Sequence, residues 1–128
     1  NIRDRGASYV VNFLDNEHNV NVKNEKGLVE MRHLGTGFMM VTKKVFKKMR
    51  GNCKQARAAN FGQFANWYTE YFKTDLDEEG GLQSEDWVFC NQWRDVGGKI
   101  WLDPSIKLDH IGTYIYEGDI QQVGANVT

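Results

Sequence analysis

One predicted helix has sequence signals at both its start and its end, and it constrains the fold of this chain more than any other feature. Ser84 is a good helix N-cap residue, and the acidic pair Glu85-Asp86 complements the positive end of a helix dipole. Gly97-Gly98 is typical of a helix end. Between these marks, apolar side chains recur at helical spacing, namely Phe89, Cys90, Trp93 and Val96. The sequence therefore predicts a helix over residues 84–96 that buries one face.

Short apolar segments around this helix predict an α/β fold with one mixed sheet. A second helix is expected over residues 43–50, with Val45, Phe46 and Met49 facing the core. The expected strands cover residues 9–14, 28–34, 38–41 (a buried strand), 99–103 and 106–108. Aromatic residues between 61 and 71 have roughly helical spacing, although Gly62 weakens that interpretation.

Length and composition indicate one folded domain. The chain has 128 residues, of which 41% are hydrophobic and 12% aromatic, and these are enough to form a core. There is no Pro/Ser-rich linker and no internal repeat. We expect a single domain over residues 1–128, with a polar lead-in at 1–27, a core at 28–119 and a tail at 120–128.

Charge and cysteine content exclude several classes of protein. The net charge of −1 gives no overall field that would attract nucleic acid or an anionic membrane. No apolar run is long enough to span a bilayer. Cys53 and Cys90 are expected to be reduced, and without a targeting signal the cytoplasm is the favoured location. The basic face of the 43–50 helix is interpreted as solvated rather than as a nucleic-acid site.

Two groups of acidic residues could carry chemistry. Glu85-Asp86 could act as a general base or hold sugar hydroxyls, but a charged first helix turn without function is favoured on the dipeptide alone. Asp75-Leu76-Asp77 has the Asp-x-Asp spacing used for metal and diphosphate binding. It follows no buried strand, so it is interpreted as a solvated loop.

Histidine, glycine and aromatic residues supply the other candidates. His110, beside Asp109, could bind a divalent metal, or it could be a structural histidine. Gly35-Thr36-Gly37 allows close approach of a ligand or a tight turn, and it matches neither phosphate-binding nor dinucleotide-binding patterns. The aromatic residues expected to contact a ligand, rather than to build the core, are Trp87, Tyr114 and Tyr116.

The order of these segments resembles that of GT-A-type nucleotide-sugar glycosyltransferases. The segment from Gly35 to Phe46 resembles a small-residue turn of this family, followed by a strand and a helix start. The segment from Ser84 to Pro104 is similar to the family's Glu-Asp helix, Gly-Gly turn and strand, and residues 108–114 resemble the end of that core. The resemblance covers residues 33–119 and implies the C-terminal, acceptor-side half of the catalytic domain.

The resemblance implies a role for each candidate. Asp86 would be the catalytic base of an inverting enzyme, Glu85 would support it or bind the acceptor, and His110 would bind a divalent metal (Mn or Mg) or the diphosphate. The residues expected to border the substrates are Gly35, Thr36, Gly37, Trp87 and Tyr114. The partners would be a nucleotide-sugar donor and a carbohydrate or other hydroxyl acceptor.

The resemblance also implies that part of the enzyme is missing. The nucleotide-binding half of this family lies upstream, and only 34 residues precede Gly35. The chain alone is therefore expected to be inactive and to expose a sheet edge at which copies could associate. A carbohydrate- or protein-binding module without catalysis is the main alternative. A metal-dependent hydrolase built on Glu85, Asp86 and His110 is disfavoured, because no third or fourth well-spaced ligand is evident.

Overall fold

The computed structural model describes residues 11–14, 23–57, 67–111 and 115–116. The described elements are two helices and several short strands, so the chain is broadly α/β. In chain order they are β1 (Val11–Phe13), β2 (Val29–Leu34), a 3-10 turn (Thr36–Phe38), α1 (Lys43–Met49), β3 (Gln55–Arg57), β4 (Trp67–Thr69), β5 (Asp75–Leu76), β6 (Leu82–Gln83), α2 (Glu85–Asp95), β7 (Ile100–Leu102), β8 (His110–Ile111) and β9 (Ile115–Tyr116).

The described strands form four small sheets instead of the single mixed sheet expected. One sheet has three strands in the order β1-β2-β7, and the other three are the pairs β3-β4, β5-β6 and β8-β9. All three pairs are antiparallel. Strands of two or three residues are too short to show a period in the sequence, which is why the pattern did not reveal these pairs.

The chain divides into two compact units. The first unit comprises Asn1–Arg32 and Trp101–Thr128, and the second comprises His33–Ile100. In the first unit, Val29 and Met31 are buried. The guanidinium of Arg32 donates a hydrogen bond to the carbonyl of Leu14 at 2.9 Å.

The second unit packs around the two helices. Its buried cluster consists of Met49 from α1, Phe89 from α2 and Cys53 from the segment after α1. Phe46 contacts Phe89 with ring centroids 6.0 Å apart. Partly buried apolar side chains surround the cluster, namely Met39, Val41, Val45, Phe46, Tyr71, Trp93 and Val96. The predicted helices, and the core positions of α1, are confirmed.

Two strand predictions were wrong, and the helical interpretation that the sequence left open for residues 61–71 does not hold for Trp67 and Tyr68. Residues 38–41 form no strand, because a 3-10 turn ends at Phe38 and Met40 is 95% exposed. Trp67 and Tyr68 lie in strand β4 rather than in a helix, where they pair with β3. Residues 106–108 do not form a strand, and Ile106 and Leu108 are about half exposed. In each case the apolar content of the segment did not by itself determine its conformation.

Candidate functional site

Three contacts in the second unit join the end of β2 and the following turn to residues 86–91 of α2. The Nε2 atom of His33 lies 2.8 Å from the Oδ1 atom of Asn91. The amide of Leu34 lies 3.5 Å from the Sγ atom of Cys90. Beyond the strand, the hydroxyl of Thr36 donates to Oδ1 of Asp86. These contacts link residues 50 to 58 positions apart in the chain and fix α2 against the 33–36 segment.

The contact between Thr36 and Asp86 brings two predicted site segments together. Thr36 begins the 3-10 turn, after Gly35 in extended conformation, and this geometry presents its hydroxyl to α2. Asp86 is half-buried in the first turn of α2, next to the exposed Glu85. Because Thr36 hydrogen-bonds Oδ1, the other carboxylate oxygen of Asp86 is left to accept a proton or a hydrogen bond from a ligand.

Neither glycine beside Thr36 has a backbone conformation that only glycine can adopt. Gly35 has a φ of −68°, which any residue can adopt. Gly37 does not have a positive φ either, and a Cβ placed on it would meet no atom within 4 Å. No other part of the protein therefore packs closely against Gly37, and the space beside this residue is open.

A buried histidine that the sequence did not mark as functional supports this site. His33 is only 7% exposed, and its ring stacks on the indole of Trp87 with centroids 4.7 Å apart. The amide nitrogen of Asn91 donates to Oε1 of Gln83 at 3.3 Å, which orients the Asn91 oxygen toward His33. Nε2 of His33 is then the protonated, donating nitrogen. One face of Trp87 is covered by His33, so only its other face could stack on a sugar.

An open polar cleft of about 240 Å³ lies along a different side of α2. The helix residues that line it, Val88, Asn91, Gln92 and Asp95, recur at helical spacing, and this spacing places Asp86 on the opposite side of α2. Its other lining residues are Asn52, Lys73, Asp75, Leu76 and Gln83. The ammonium of Lys73 lies 2.5 Å from the carboxylate of Asp75. This hydrogen bond is the main cause that lowers the pKa of Asp75, and the amide of Leu76 and the positive charges of Lys73 and Lys54 lower it less.

The Asp75-Leu76-Asp77 segment is a surface hairpin. Asp75 pairs with Lys73, and Oδ1 of Asp77 accepts hydrogen bonds from the amides of Glu79 and Gly81. Both carboxylates therefore have structural partners.

The described side chains do not make a metal site. Among them, no three His, Cys, Asp or Glu side chains lie close enough together to hold a metal ion. The backbone of His110 pairs with Tyr116 between β8 and β9. The side chain of His110, and all of Tyr114, lie outside the described residues. Asp86 and Glu85 alone supply too few ligands for the divalent cation that the resemblance implies.

Neither a family model, nor a curated protein, nor a solved structure matches this chain. In the part of the chain that the structure describes, no helix combines the length and apolar character needed to cross a bilayer.

Proposed function

We propose that the chain is the acceptor-side half of a GT-A-type glycosyltransferase, which transfers a sugar from a nucleotide-diphosphate donor to an acceptor hydroxyl. The observation that carries this proposal is the hydrogen bond from Thr36 to Asp86. It joins the two segments that resemble this family, although they lie 50 residues apart in the chain. A charged first helix turn without function would need no such partner.

In this reaction Asp86 is the general base. Thr36 holds Oδ1 of the carboxylate, and Oδ2 accepts the proton of the acceptor hydroxyl. As the proton leaves, the acceptor oxygen forms a bond to the anomeric carbon of the donor sugar. The bond from that carbon to the diphosphate oxygen breaks, and the electron pair departs with the diphosphate. Attack from the opposite side inverts the configuration of the anomeric carbon.

The other candidate residues have supporting roles in the proposal. Glu85, exposed beside Asp86, hydrogen-bonds an acceptor hydroxyl. The open space beside Gly37 and the face of Trp87 that His33 does not cover accommodate the sugar rings. Tyr114 remains a predicted substrate contact.

The proposed enzyme uses Mn²⁺ or Mg²⁺, which stabilises the negative charge of the departing diphosphate. His110 remains the predicted metal ligand. Because the described side chains offer no complete set of ligands, no step above is assigned to the metal.

The polar cleft along α2 favours one alternative, a carbohydrate-binding module without catalysis. Its amide, ammonium and carboxylate groups offer donors and acceptors side by side, as a ligand with many hydroxyl groups requires. In this case the cleft, and not Asp86, would contact the sugar.

Because the proposal assigns donor binding to a nucleotide-binding half outside this chain, the experiment measures the release of nucleoside diphosphate from UDP- and GDP-sugars in the presence of Mn²⁺ by the full-length enzyme and by its Asp86→Asn variant. We expect Asp86→Asn to reduce turnover about 10²- to 10⁴-fold. The matched control is Asp103→Asn, because Asp103 also accepts a hydrogen bond from a hydroxyl, that of Ser105 at 2.6 Å. Turnover that is unchanged in Asp86→Asn would eliminate Asp86 as the base. Saccharide-induced NMR shifts at Gln83 and Asn91, without any turnover, would favour the binding module.

A further inference from the structure

The net charge of the chain is only −1, but its charged residues are distributed very unevenly along the sequence. Seven of the 16 Lys and Arg residues lie between Lys43 and Arg57, and none of the 17 Asp and Glu residues does. This segment therefore carries +7, and the rest of the chain carries −8. A local charge of this size attracts anionic partners even though the whole chain is nearly neutral.

All seven cations are exposed, and within the described residues none makes an ion pair with a carboxylate, although the charge of Lys54 acts on Asp75. Two of them lie over indole rings instead. The Nζ atom of Lys48 is 5.4 Å from the ring centroid of Trp93, and the guanidinium carbon of Arg57 is 6.0 Å from that of Trp67. Such contacts leave the positive charge intact.

Local structure holds these cations on an ordered scaffold. In α1, four lysines are exposed, while Val45, Phe46 and Met49 pack into the core of the second unit. The side-chain amide of Gln55 donates to the carbonyl of Arg50 at 3.3 Å, which ties the start of β3 to the end of α1. The exposed lysines of α1 are Lys43, Lys44, Lys47 and Lys48.

Exposed aromatic residues follow on the paired strand. Trp67 lies opposite Arg57 in the β3-β4 register and is 69% exposed. Its neighbour Tyr68 is 50% exposed. Trp and Tyr are the side chains that favour the headgroup region of a bilayer, because their rings are apolar and their N–H or O–H groups are polar.

We propose that residues 43–57, together with Trp67 and Tyr68, form a basic surface that docks the protein on an anionic phospholipid bilayer. The lysines and arginines attract the lipid phosphates and carboxylates, and the two aromatic side chains insert at the headgroup level.

Two observations favour a bilayer over a nucleic acid. Five of the seven cations are lysines, which act as point charges, whereas the bidentate recognition of bases uses arginine. One face of Trp67 is also taken by Arg57, and a stacked base would have to displace that guanidinium.

The test is co-sedimentation of the protein with vesicles of phosphatidylcholine alone, or of phosphatidylcholine with about 30% phosphatidylserine, near physiological salt. We expect binding only to the phosphatidylserine vesicles, and a decrease in binding as salt is raised. Lys43→Glu/Lys47→Glu should weaken this binding at least about tenfold, because each cation near the surface contributes about a fivefold factor. Trp67→Ala should weaken it without changing its salt dependence.

The matched control is Lys23→Glu/Lys26→Glu, which reverses the same number of exposed charges outside the basic surface. Circular dichroism establishes that both double variants remain folded. The proposal is overturned if phosphatidylserine vesicles do not bind the protein, or if both double variants lose binding equally. Tighter binding to a single-stranded RNA than to the vesicles would also overturn it and would identify the surface as a nucleic-acid site.

Discussion

The indole ring of Trp93 occupies the place where a Cβ atom on Gly98 would lie. The ring is held there from two directions. Its Nε1 atom donates to the carbonyl of Lys99 at 2.9 Å, and the ring packs against the buried cluster of the second unit. The amide of Gly98 also donates to the carbonyl of Trp93 at 3.0 Å. Glycine at position 98 is therefore required by the packing of the helix end.

We expect Gly98→Ala to lower the free energy of unfolding by about 1–3 kcal/mol, because the added methyl group must displace the Trp93 ring. Urea denaturation followed by tryptophan fluorescence measures this change. Gly51→Ala is the matched control, since a Cβ there meets no atom within 4 Å and its φ is not positive. A Gly98→Ala protein as stable as Gly51→Ala would show that the ring does not occupy this position.

The hydrogen bond between Thr36 and Asp86 can be tested without any substrate. We expect Thr36→Val and Asp86→Ala each to destabilise the protein, because a hydrogen bond to a charged group is lost. The coupling energy of the double-mutant cycle should be about 1 kcal/mol, since the pair is only half-buried. Urea denaturation of the four proteins gives this coupling. Effects that simply add would show that the two side chains do not interact.

Sequence patterns predicted the longer elements and missed the contacts that build the site. The helices have about two and three turns of periodic apolar residues, and β2 has six residues of strand. By contrast, His33 and Asn91 meet across 58 positions, and no local pattern records such a contact. His33 therefore had no supporting neighbours in the sequence, although the structure places Trp87 and Asn91 against it.

The position of the α2 N-cap was predicted correctly, but its expected side-chain hydrogen bond is not formed. Ser84 occupies the N-cap of α2, as its sequence context predicts, but its hydroxyl makes no capping hydrogen bond. We therefore expect Ser84→Ala to cost less than about 0.5 kcal/mol, below the usual cost of about 1 kcal/mol for removing a cap. Asp77→Ala is the comparison, because Asp77 does accept two backbone hydrogen bonds. If Ser84→Ala costs as much as Asp77→Ala in urea denaturation, the serine caps the helix in solution.

The two buried cysteines predict how stability changes at alkaline pH. Burial raises the pKa of the Cys90 thiol, and the nearby charge of Asp86 raises it further. Burial likewise raises the pKa of Cys53. Because these thiols ionise more readily in the unfolded chain, their contribution to stability is complete at pH values well below 9.0, the ordinary pKa, and declines as the pH rises through the folded-state pKa.

We expect urea midpoints measured between neutral pH and about pH 10 to fall less steeply in Cys90→Ala than in the natural sequence. The comparison of slopes removes the contributions of lysines and tyrosines, which titrate in both proteins. Cys90 should also react slowly with iodoacetamide in the folded protein, because only the thiolate is the nucleophile and the side chain is fully buried. Equal slopes in the two proteins would mean that the Cys90 thiol ionises as readily in the folded protein as in the unfolded chain, and that burial does not raise its pKa.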